Sequence, residues 1–125
     1  MTTQTHYLRR DPAEITPWAE TCGQIRCMIE NADGTPAEIH RVDIDNAKLH
    51  YHAKTDEFYY VIAGRGTMLL DDETIELHEG VVVYVPRGVK HKAIAGPESE
   101  KYPGKLTVLT ICIPRGVLDD VHELE

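Results

Sequence analysis

HYHAKTDEFYYVIAG, residues 50–64, sets two histidines two apart in a run that reads as a strand, so both imidazoles project from one face of a sheet. That geometry lets His50 and His52 share one ion. Glu57 follows five residues after His52, where a turn through 53–56 brings its carboxylate back toward the pair. A later stretch, GVVVYVPRGVKH, residues 80–91, ends on His91 at the start of another strand. Three imidazoles and one carboxylate make a mixed nitrogen and oxygen site. It suits one divalent transition metal per chain (Fe, Mn, Ni, Cu or Zn) and leaves coordination positions open.

Outward from these stretches, residues 24–114 read as short alternating or β-rich runs: 24–30, 37–43, 47–52, 57–63, 67–70, 74–78, 81–85, 91–95 and 106–113. The expected class is all-β. Gly64-Arg65-Gly66 and Asp71-Asp72-Glu73 read as hairpin turns, and residues 31–36 as a third turn around Asp33-Gly34. GPESEKYPG, residues 96–104, reads as a loop. The domain plan is an N-terminal extension over 1–23 packing on the barrel or a partner subunit, a barrel over 24–114, and an acidic tail over 115–125 that frays or forms one helical turn.

At 125 residues the chain is large enough for one core and too short for two. No apolar run approaches the roughly 20 residues of a membrane-spanning helix, and the opening residues carry no apolar leader, so a cytoplasmic location without membrane contact is expected. The net charge of −8, with scattered basic residues, is the wrong footprint for nucleic acid. Cys22, Cys27 and Cys112 form no CxxC pair and read as small thiols rather than a disulfide framework.

Read as one string, His50-x-His52, Glu57 and Gly64, followed by Gly80, Pro86-x-Gly88 and His91, resembles the two motifs of the cupin superfamily in its small single-domain form. Ile44 and Ala95 depart from it, standing where the family pattern carries a glycine and an asparagine. The resemblance implies a double-stranded β-helix, or jelly-roll, barrel with the metal inside one end. It also implies a small-molecule substrate or ligand. Oxidation with O2 ranks first, isomerase or lyase chemistry second, and a binding or sensing module without turnover third.

Strand parity puts Tyr59 on the face of Glu57, as a candidate catalytic residue, with Phe58 and Tyr60 outward. The same parity puts Lys48 on the histidine face, as a candidate substrate-binding residue. The facing of Cys27, Arg41 and Thr110 stays open, because one bulge inverts it. His6, His40, His78 and His122 match no ligand spacing and are read as outside the site. The apolar groups Tyr7, Leu8, Ile15 and Trp18 lead to the expectation of a homodimer in which the N-terminal segment crosses a neighbouring barrel.

Overall fold

A computed structural model describes residues 6–45, 47–97 and 105–125. Its strands are β1 (Trp18–Glu20), β2 (Gly23–Ile29), β3 (Glu38–Ile44), β4 (His50–Tyr51), β5 (Asp56–Leu70), β6 (Glu73–His78), β7 (Val82–Val85), β8 (His91–Ala95), β9 (Leu106–Ile113) and β10 (His122–Glu123). Every pairing is antiparallel. One sheet runs β1-β2-β3-β9-β5-β7 and the other β6-β5-β8-β4-β10, so β5 belongs to both. The curled, all-β arrangement is a jelly-roll barrel.

Strict alternation makes β3 and β9 strands with one buried face. Glu38, His40, Val42 and Ile44 point inward from β3, and Leu106, Val108, Thr110 and Cys112 from β9. Val61, Met68, Leu77, Val85 and Ala93 complete the core from the other strands. At about 25 cal/mol per Å² of apolar surface, such a core is the main stabilising term, and the polar groups set into its wall must be held by specific partners.

Gly64-Arg65-Gly66 is not a hairpin. The chain continues through it, and β5 changes partners there, pairing with β7 and β9 before it and with β6 and β8 after it. The glycines serve close approach: a Cβ on Gly64, whose φ is +81°, would lie 1.5 Å from the Lys105 carbonyl oxygen, and one on Gly66 would lie 2.0 Å from that of Ile94. The Asp71-Asp72 turn does close a hairpin, joining Leu70 to Glu73. In the expected loop at 96–104, residues 98–104 lie outside the described residues.

The segments described on both sides of the central strands join the barrel. Trp18–Glu20 adds a strand beside β2, and Arg10 spans from the Met28 carbonyl to the Asp33 carboxylate. Trp18 and Tyr7 remain exposed. The tail forms a 3-10 turn at Val117–Asp119 and then β10, which pairs with β4. Charge and a short apolar pattern hid this strand, because its two residues gain order from β4 and not from their own propensity.

Candidate metal centre

His50 and His91 face each other across the β4–β8 pair, with ring centroids 4.2 Å apart. His52, just past β4, sits 5.1 Å from His50 and 5.2 Å from His91 by the same measure. Glu57, near the start of β5, brings Oε1 to 3.1 Å from His91 Nε2 and 3.3 Å from His52 Nε2. One donor atom from each of the four lies within 4.8 Å of all the others, and all four residues are buried. The four residues named from spacing are therefore brought together.

The backs of the three rings explain their orientation. His50 Nδ1 contacts the Lys48 carbonyl at 2.7 Å, His52 Nδ1 the Asp120 carbonyl at 3.0 Å, and His91 Nδ1 the Val89 carbonyl at 2.9 Å. A carbonyl only accepts, so each Nδ1 donates and each Nε2 keeps its lone pair, those of His52 and His91 facing Glu57 Oε1. His52 Nε2 has no hydrogen-bond partner despite its burial. Converging lone pairs around a buried carboxylate oxygen call for a cation between them, and the donor set fits a borderline divalent ion.

The electrostatics follow. Burial, then the neighbouring His91, lowers His50 to about 4. Burial also opposes charge on His52, but the adjacent Glu57 carboxylate outweighs it and raises that group. For Glu57 burial alone would raise the carboxyl, and His52 and His91 together hold it well below the usual carboxylate range. The carboxylate is thus kept ionised in an apolar wall, as a ligand must be.

Tyr59 is buried and meets His91 edge-on at 6.0 Å. Burial, reinforced by the charge of Glu57, pushes its phenol well above the usual value, so it is a donor and not a base. Lys48 lies elsewhere. Its side chain is about half exposed and reaches Glu123 at 3.6 Å, while its contribution to the centre is the carbonyl that holds His50. The parity that aimed it inward fails because regular strand begins only at His50.

Beside the centre is a cavity of about 50 Å³, space for a few waters or a small ligand. Its wall includes His50, His52, Glu57, Tyr59, Thr110 and His40, with Ile25, Val42, Val117 and Leu118 supplying apolar surface. His40 was expected outside the site and stands in it. The alternation of EIHRVDI carried the signal, since an inward Val42 and Ile44 put His40 and Glu38 on the same face. Thr110 and Cys112 are inward too, whereas Arg41 takes the other face of β3.

Other contributors left no mark in spacing. The Cys112 thiol donates to Glu57 Oε2 at 3.3 Å, and Cys22 Sγ lies 4.0 Å from His50 Nε2. Burial, then the charge of Glu57, pushes Cys22 up to about 12 and Cys112 higher still, so neither is a ready nucleophile. The Asp120 carboxylate accepts from the backbone N–H of Lys54 at 2.7 Å and of Ala53 at 3.2 Å, tying the turn between His52 and Glu57 to the tail. Only the closed barrel brings these groups in.

With the geometry established, comparison with known proteins gives a family and a set of folds. The cupin domain family matches residues 41–109. An uncharacterised protein of Methanocaldococcus jannaschii is 43% identical over 44 residues, covering 35% of each chain. A glucose-6-phosphate isomerase of Thermococcus gammatolerans is 44% identical over 54 residues, covering 38% of this chain and 29% of its own. The match thus spans about a third of these curated relatives. Among solved structures, a protein from Planctomyces limnophilus superposes with a TM-score of 0.81 at 22% identity, covering 94% of this chain and 97% of its own. The polyketide cyclase RemF from Streptomyces resistomycificus gives 0.73 at 19%, covering 96% and 87%. At these identities the structural likeness concerns the fold.

Proposed function

Since this chain belongs to the cupin domain family, we propose that it holds one divalent transition metal on His50, His52, Glu57 and His91 and is a metal-dependent enzyme acting on a small polar organic molecule. The observation that carries the reading is the set of three imidazoles, each fixed from behind by an Nδ1 contact to a carbonyl, whose ligand atoms lie within 4.8 Å of one another and of a Glu57 carboxylate oxygen. When bound, the ion would supply positive charge that polarises an oxygen of the ligand.

Proton-transfer chemistry of the isomerase or lyase type ranks first on the cavity's own groups. Tyr59 offers a buried O–H to a ligand oxygen, and Val117, Leu118 and Val42 exclude water from the reacting end. The partial likeness to a glucose-6-phosphate isomerase supports the same class. Oxidation with O2 is the second reading, favoured by a neutral-nitrogen and carboxylate donor set that accepts iron or manganese. A screen of metal-loaded protein against small hydroxyketones and sugar phosphates, run with and without an oxygen electrode, separates the two. Turnover without O2 uptake supports the first and turnover coupled to O2 uptake the second. Metal-free protein from metal-replete cells that also fails to take up added metal sinks both.

The three free cysteines fit a reducing, cytoplasmic setting. Among the described residues no helix is long and apolar enough to cross a membrane. We read the working form as a homodimer, because Tyr60, Val82 and Tyr84 make an exposed apolar surface on the outer face of β5 and β7. In light scattering the full chain should run as a dimer and a Val82→Asp, Tyr84→Asp double variant as a monomer. A monomeric full chain at tens of micromolar removes the dimer.

A further inference from the structure

A second buried acid–base pair stands in the barrel wall. Glu38 and His40 are 1% and 2% exposed. The Glu38 carboxylate is fixed by the backbone N–H groups of Gly116 and Val117, the latter at 2.8 Å to Oε2. Its other oxygen, Oε1, lies 3.3 Å from His40 Nε2 without hydrogen-bond alignment, and neither nitrogen of that ring has a hydrogen-bond partner. Buried polar atoms left unmatched are costly, and when they line a cavity the missing partner is a ligand or water. Across the sheet, Tyr59, Thr110 and His40 form one row of register partners, and Glu57, Cys112 and Glu38 form the next. The pair therefore continues the two ranks of side chains that begin at the metal centre.

We propose that His40 is a catalytic base that takes the proton of a hydroxyl-bearing ligand seated between it and the metal centre, with Glu38 as its positioning residue. The inference rests on the metal reading above. In the step, the ligand's O–H bond breaks and its electron pair stays on oxygen. The proton forms a new N–H bond on His40, and the imidazolium faces the Glu38 carboxylate until the proton returns. No electrons leave the ligand.

The other titratable groups around His40 do not serve. Tyr59 on β5, Cys112 on β9 and Cys27 on β2 are held protonated, mainly by burial, and Glu57 is committed to the cluster. Burial, against the pull of Glu38, keeps His40 below its ordinary value and so neutral and able to accept.

The test uses the full chain loaded with zinc and acetohydroxamic acid as the probe. Calorimetry in two buffers of different ionisation enthalpy counts the protons that binding releases. Wild type should release close to none, because His40 keeps the proton. His40→Gln should release about one and bind at least tenfold more weakly at unchanged zinc content. Histidine-ring 15N spectra of wild type, which need no variant to fold, should show His40 pass from neutral to doubly protonated when the probe binds. Glu38→Gln should weaken that protonation while retaining zinc. Equal proton release in wild type and His40→Gln, a His40 ring that stays neutral with probe bound, or zinc-loaded wild type that does not bind the probe each overturns the proposal and leaves the metal reading standing. Wild type that takes up no zinc overturns the metal reading and this inference with it.

Discussion

Among the described residues the barrel contains two buried carboxylate–histidine groups, and they are anchored in opposite ways. At the His50, His52, His91 and Glu57 cluster the rings are pinned from behind by backbone carbonyls, and the lone pairs meet in front. In the Glu38–His40 pair the carboxylate is pinned by two backbone N–H groups and the ring is left without hydrogen bonds. Fixed imidazoles with converging lone pairs suit a cation that stays. A fixed carboxylate beside an unbonded imidazole suits a proton that comes and goes. The same two residue types thus acquire different chemistry from which partner the backbone holds.

The largest expected effect breaks the first group. His52→Ala should weaken metal binding by more than the ~100-fold that outer contacts reach, measured by competition with a chromogenic chelator. Retention of near-wild-type affinity would show that the ring does not ligate. Removing the metal from wild type should cost stability by linkage, about 2.7 kcal/mol where free metal stands at 100 times its dissociation constant, a fall near 10 °C in Tm by calorimetry. An unchanged Tm after verified removal would mean that the four side chains hold their places without an ion.

Asp120→Ala keeps the backbone carbonyl that holds His52 but deletes the acceptor for Ala53 and Lys54. A loss of about tenfold in metal affinity is expected, read by the same competition. No change would assign the tail to stability alone. The smallest effect belongs to the second group. Burial keeps His40 neutral in the folded chain, while the unfolded chain takes up a proton below about pH 6.5. Folding stability therefore falls as pH drops from that value toward the depressed folded value, by at most ~1.4 kcal/mol per pH unit. Denaturant melts of zinc-loaded wild type and His40→Gln between pH 7 and 5 should converge as pH falls. Parallel curves would mean that His40 titrates normally and that the contrast between the two groups fails.

Legibility in the sequence divided along the same line. The cluster could be read because its ligands fall in two short motifs with fixed strand spacing, and β8 and β9 carry the very bounds that their apolar alternation suggests. Metal-ligand spacing alone leaves His40 outside the site, although the alternation of β3 puts it inside beside Glu38. Asp120 and β10 could not be read, since their roles arise from pairing with a strand about seventy residues earlier, at His50 and Tyr51. Local turn chemistry makes a hairpin of Gly64 and Gly66, whereas what they accommodate is the backbone of residues distant in the chain.

The passage of β5 through both sheets also fixes the order in which the chain can assemble. Its pairing with β6 is local, those with β7 and β8 close longer loops and that with β9 the longest, and His50 meets His91 only after β4 has docked on β8. Loop-closure entropy makes such distant contacts late ones. A nascent chain therefore offers a passing ion only the HxH pair, a weak and unselective chelate, and all four ligands coexist only once the barrel has closed. In kinetic terms, the ion should slow unfolding while leaving the folding rate nearly unchanged.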